Sequence, residues 1–110
     1  MSPAETLTAA ADRLEALLAD VPRGPWHVEL GERGYPQNVC NDGGLLIAET
    51  YTGPEVDPAE ARYIAAMDPV VGRAVVALLR HSAARVRINP DALIDMELIL
   101  ARTILGEAAS

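Results

Sequence analysis

Ser2-Pro3-Ala4-Glu5 opens the chain with a fully written helix start, and the same cap-then-proline pair returns at Asp57-Pro58, Asp68-Pro69 and Asn89-Pro90. A Ser, Asp or Asn side chain at an N-cap accepts a hydrogen bond from an orphaned helix N–H. Proline at the next position has no N–H to lose and already holds a helical φ. Glu5 and Glu60 stand three residues after Ser2 and Asp57, which completes a capping box at each. The four pairs predict where four helices begin, and so most of the architecture. They say nothing about chemistry.

Working outward from the first pair, Leu7, Ala11, Leu14, Leu18 and Val21 recur at steps of three and four, predicting an amphipathic helix from about Pro3 to Ala19. Pro22-Arg23-Gly24-Pro25 stops it and turns the chain. Trp26 to Leu30 then alternates, with Trp26, Val28 and Leu30 on one face and His27 and Glu29 on the other. Residues 31–36 read as a turn and Gln37 to Cys40 as a second strand. Asn41-Asp42-Gly43-Gly44 carries the Asp-Gly hairpin signal before a third strand from Leu45 to Tyr51. The inward face of that strand is ambiguous, because Leu45 to Ala48 does not alternate.

After a loop at Thr52–Val56, a second helix is predicted from Asp57-Pro58 to Met67 and a third from Asp68-Pro69 to Arg87. Val71, Val75, Leu78, Ser82 and Val86 form the stripe of the third helix, with Leu79 adjacent. The fourth runs from Pro90 toward Gly106, a plausible C′ glycine. It carries two apolar stripes: Leu93, Met96, Leu100 and Ile104, then Ile94, Leu98, Ala101 and Leu105, with Ile99 between. A helix apolar nearly all round is covered on most sides. It is either the central core helix or the seam with a second subunit. The whole reads as one α+β domain over residues 1–110, a three-stranded antiparallel meander packed against four helices in the order α-β-β-β-α-α-α.

A chain of 110 residues buries roughly two-thirds of its unfolded surface, enough for one core. No apolar run approaches the ~20 residues of a membrane span. The capped first helix is no signal peptide, and the lone Cys40 excludes an internal disulfide, so the reducing cytoplasm is the expected compartment. The net charge of −7 opposes binding to phosphate backbones. All nine basic residues are arginine, and they are unevenly placed. Residues 1–68 hold twelve acids and four arginines, whereas residues 69–90 hold four arginines and no acid.

Four candidate chemistries can be read in the residues. With Val28 opposite Val39, His27 stands opposite Cys40 on the other face, at the ~5 Å spacing of a cross-strand pair. A solvated sheet face accounts for both residues, no oxyanion donor is evident, and no catalytic group is assigned. Asn38, Asn41 and Asp42 lack the spacing of a calcium loop, and the two histidines and one cysteine lack that of zinc ligands. The glycines form no phosphate cradle, so no cofactor is expected. Arg73, Arg80 and Arg87, seven apart on the third helix, are a possible partner patch for an acidic protein or a nucleic acid backbone. A solvated face that complements the helix dipole, or pairs with acids of helix one or four, explains them more simply.

Pro22-Arg23-Gly24-Pro25-Trp26, a short meander, Ala59-Glu60-Ala61-Arg62-Tyr63-Ile64-Ala65-Ala66-Met67-Asp68-Pro69 and Ala77-Leu78-Leu79 follow one another in an order that resembles small phage and prophage proteins of the Ead-like type. Those proteins carry PGPW, a glycine-containing hairpin, A-x-[FY]-I-A-A-x-x-P and ALL; here Arg23 stands where a small residue is common. The resemblance spans residues 5–85 and implies a temperate-phage accessory protein, often of actinobacterial hosts, which agrees with the GC-rich genome suggested by arginine-only usage. It transfers no active site. It implies, by analogy, a part in host takeover or the lysis–lysogeny choice. In packing terms, Tyr63, Ile64 and Met67 would line the inward side of the second helix, Trp26 would fill the space behind the sheet, and the Tyr63 hydroxyl would hold the 52–56 loop.

The expected function is therefore non-enzymatic: a cytoplasmic protein that binds an unidentified host or phage protein and forms a homodimer. Leu93, Ile94, Met96, Leu98, Leu100, Ile104 and Leu105 supply the self-association surface. The acidic N-terminal half faces a basic or polar partner. The competing class is a nucleic-acid-directed regulator using Arg73, Arg80 and Arg87.

Overall fold

The computed structural model describes residues 1–29, 37–50 and 59–107. Seven elements follow in chain order: α1 (Pro3–Ala19), β1 (Trp26–Glu29), β2 (Gln37–Asn41), β3 (Leu46–Thr50), α2 (Ala59–Ala66), α3 (Pro69–Ile88) and α4 (Asp95–Ile104). This is the predicted α+β order. The turn at 31–36, the loop and cap over 52–58, the predicted strand ends Leu30 and Tyr51, and the tail 108–110 lie outside the described residues. Two units divide the chain, Met1–Asp20 with Gly72–Ser110 and Val21–Val71.

In the first unit, α1 begins with the capping box. Ser2 Oγ accepts from Glu5 N at 3.1 Å, and Glu5 Oε1 accepts from Ser2 N at 3.2 Å. These bonds with Ser2 hold the Glu5 carboxyl below its ordinary value. The core joins Leu7, Ala10 and Ala11 of α1, Val76, Leu79, Ala83 and Val86 of α3, and Ile94 and Ala101 at α4. Of the predicted α3 stripe, Ser82 and Val86 are buried with the adjacent Leu79, and Val75 is half-buried, whereas Val71 and Leu78 are exposed and Val76 and Ala83 lie inside. The buried face is thus rotated slightly from the predicted one, as close side-chain packing between the helices selects it.

Asn89-Pro90 does not start α4. Ala92 N donates to Asn89 O at 3.0 Å, and Asn89 Oδ1 accepts from Asp91 N at 3.1 Å, which closes a β-turn with proline at its second position. The same residue pair serves a cap or a turn, and here the turn wins. Helical structure resumes only at Asp95, after Ile94, with no side-chain cap. The other end matches the reading. Gly106 sits at φ +74°, Gly106 N donates to Thr103 O and Glu107 N to Arg102 O, forming a Schellman close.

In the second unit, β1, β2 and β3 form an antiparallel meander in that spatial order. Val28 pairs with Val39 and His27 with Cys40, the register that the sequence leaves open and that setting His27 opposite Cys40 assumes. Between β2 and β3 the register shifts, Val39 pairing with Ala48 but Cys40 with Leu46. Ile47 is therefore the extra residue of a bulge, which explains why Leu45 to Ala48 fails to alternate. Helix α2 packs on all three strands. Its buried residue is Ala61, with Ile64 half-buried, whereas Tyr63 and Met67 are exposed; the predicted inward stripe is corrected to the smaller side chain.

Asp68 ties the two ends of this unit together. Its carboxylate is buried and caps α3, Oδ1 accepting from Val70 N at 2.9 Å and Val71 N at 3.1 Å. Oδ2 accepts from Trp26 N at 3.0 Å, at the first residue of β1. Gly24 makes this approach possible: a Cβ there would stand 3.2–3.3 Å from Val70, Asp68 and Pro69. Burial alone would raise the Asp68 carboxyl; the amides of Trp26, Val71 and Val70 outweigh it and hold the group below its ordinary value. Among the described residues, no helix is long and apolar enough to cross a membrane.

Replacing Asp68 by Ala removes the cap and orphans the Trp26 amide, and is expected to cost about 2–3 kcal/mol in urea unfolding followed by Trp26 fluorescence. Because the folded carboxyl is depressed, its contribution is complete above the unfolded value near ~4 and is lost as pH falls through the folded value. The gap between wild type and Asp68→Ala therefore closes in acid. At the other end of the chain, Gly106→Ala forces a Cβ into the left-handed region and is expected to cost about 1 kcal/mol by thermal unfolding, with Gly106→Asn costing less.

Candidate functional site

Three groups of side chains could carry function. The first lies where α3 passes into α4. Ile88 is 86% exposed, Leu93 83%, Met96 72% and Ile99 55%. Single exposed apolar residues are ordinary, but four large ones within twelve positions of one turn and one helix are not. A groove of about 470 Å³ at this corner is lined by Arg85, Ile88, Asn89, Asp91, Ala92 and Leu93.

The exposure follows from the helix period. Ile94 and Ala101 are buried, and Leu98, Leu100, Ile104 and Leu105 pack partly against the core. Helix α4 lies against α1 on that side, so Met96 and Ile99 turn outward. Of the residues expected to self-associate, Leu93 and Met96 are free at the surface and Leu98, Leu100, Ile104 and Leu105 are half-covered. Ile94 belongs to the chain's own core. Ile88 and Ile99 were not among those residues. Ile99, midway between two apolar stripes, carried a legible signal; Ile88, placed after Arg87 at the end of α3, carried none.

The second group surrounds Cys40. His27 Nε2 lies 3.3 Å from Glu29 Oε1, and His27 Nδ1 lies 3.9 Å from Asp42 Oδ1. His27 is partly open to solvent, but Cys40 is buried, contrary to the solvated face expected for both. Cys40 sits on the middle strand beside the register shift, where a bulge re-aims side chains. Burial pushes its thiol above the ordinary value, and the neighbouring Glu29 adds to this by charge and hydrogen bond. A nucleophilic cysteine needs the opposite environment, one that favours the thiolate. Among the described residues no group of three or more His, Cys, Asp or Glu could hold a metal.

The third group is the arginine stripe. Arg80 Nη1 and Nη2 each lie 3.1 Å from Asp12 Oδ1, and Nη2 lies 3.3 Å from Glu15 Oε2. These two carboxylates of α1 raise the Arg80 guanidinium further above its ordinary value. Arg87 Nη2 donates to Thr8 Oγ1 at 3.0 Å, whereas Arg73 is exposed. The pairs are exposed and add little stability, but they set acids of α1 beside the stripe and weaken it as a cationic footprint.

Comparison with protein families, with curated proteins and with solved structures finds no match to the chain. The site therefore rests on its own geometry. Cys40 is expected to react with a thiol reagent at neutral pH more slowly in the folded protein than in the urea-unfolded chain. Faster reaction in the folded state would mark an activated thiolate and overturn the description above.

Proposed function

We propose that this is a non-enzymatic accessory protein of the phage type, working in the host cytoplasm by contact with another protein. The observation that carries the reading is the exposed apolar corner of Ile88, Leu93, Met96 and Ile99. Burying such side chains against a partner releases their hydration at roughly 25 cal/mol per Å² of apolar area. The order of the PGPW-like, A-x-[FY]-I-A-A-x-x-P-like and ALL-like segments supports the accessory class, and by analogy a part in host takeover or the lysis–lysogeny choice.

Contact is favoured over the nucleic acid alternative by the engagement of Arg80 with Asp12 and Glu15, and by the net charge of −7. Affinity capture from host lysate tests the choice. The partner should be retained by wild type and by Arg73→Glu, and lost with Met96→Glu. Loss with Arg73→Glu, together with a salt-sensitive shift of nucleic acid by wild type, would favour the regulator and overturn the proposal.

A further inference from the structure

The exposed face of α4 is flanked by charges whose order identifies what can cover it. Met96 and Ile99 run along its centre, continued by exposed Thr103 one turn later. Asp95 and Arg102 are both exposed and lie seven positions apart on one flank. On the opposite flank is half-buried Leu100. Neither Asp95 nor Arg102 takes part in an ion pair among the described residues. Written as a heptad, Met96 and Ile99 take the two seam positions, Asp95 and Arg102 recur at the flanking position before the seam, and Leu100 stands at the one after it.

We infer that this face is covered by a second copy of the chain, with the two α4 helices antiparallel across a two-fold axis. This rests on the protein-contact reading and names its partner. The pattern is self-complementary only in that orientation. With Met96 of one copy opposite Ile99 of the other, Asp95 of each copy faces Arg102 of the second. A two-fold axis repeats every contact, as an isologous interface requires. A parallel seam would instead set the Asp95 carboxylate against the apolar Leu100. The helix offers only about 15 Å of seam, the low end for a specific interface, so association is weak and rises with concentration in the micromolar range.

Sedimentation equilibrium over a concentration series, with light scattering, tests this on the full chain. Wild type shows a reversible monomer–dimer equilibrium. Asp95→Arg and Arg102→Asp each weaken it by about tenfold or more, because each places two like-charged pairs in the seam. Mixing the two variants in equal amounts restores dimers near the wild-type level, since both cross-pairs are then opposite in sign; the double variant does the same. This recovery also proves that the single variants fold. A wild type that stays monomeric at high micromolar concentration overturns the inference. So does a dimer broken by Met96→Glu that the charge variants leave unchanged, which excludes the antiparallel register. A monomeric wild type whose capture of a foreign protein is still lost with Met96→Glu overturns self-pairing and leaves the protein-contact reading intact.

Discussion

The Asp68 carboxylate accepts three backbone hydrogen bonds from two places distant in sequence: Trp26 at the start of β1, forty-two residues before it, and Val70 and Val71 in the first turn of α3. One buried side chain thereby satisfies helix amides that have no partner of their own and a strand amide that would otherwise be orphaned. The geometry favours glycine at position 24, where a Cβ would sit tightly against Val70, Asp68 and Pro69 at 3.2–3.3 Å. It also places Trp26, whose indole Nε1 donates to Pro22 O at 3.2 Å. Pro22–Trp26 and the stretch ending at Asp68-Pro69 are therefore one physical device. Their order in the sequence records a contact.

A different economy of size governs the helical unit. Its interior is lined by Ala10, Ala11, Ala83 and Ala101 around Leu7 and Leu79, and Ser82 is fully buried with its hydroxyl 3.3 Å from Glu97 Oε2. Small side chains let backbones approach and pack densely. They also leave no interior room for larger ones. Leu78, Ile88, Leu93, Met96 and Ile99 are thus displaced to the surface, and the last four collect at the passage from α3 to α4. An apolar surface of this kind is a resource for contact. Among the polar groups, Arg80 is held by Asp12 and Glu15, and burial and Glu29 raise the Cys40 thiol above its ordinary value.

Much of this fold was legible because its signals are local. Capping by Ser2 and Asp68, the closing glycine at 106 and the turn at Asp42-Gly43 each depend on residues near in sequence, whereas the register that pairs His27 with Cys40 does not. Misreadings arose where one local signal serves two structures. Asn89-Pro90 suits a turn as well as a cap, and a bulge at Ile47 erases alternation without leaving a residue signature. Of the candidate site, the apolar richness of residues 93–105 was plain, but its division into covered and bare sides was not.

By itself the sequence determined the kind and order of the elements, because helix starts, strand alternation and turn chemistry are written within a few residues. Only the tertiary structure decided which face of each element is used. Leu79, Ser82 and Ala83 rather than Leu78 lie inside α3, Ala61 rather than Tyr63 inside α2, and Ile94 inside while Met96 stays out. Rotating a helix about its axis changes no local propensity; what selects the face is the fit of side-chain volumes between elements distant in sequence.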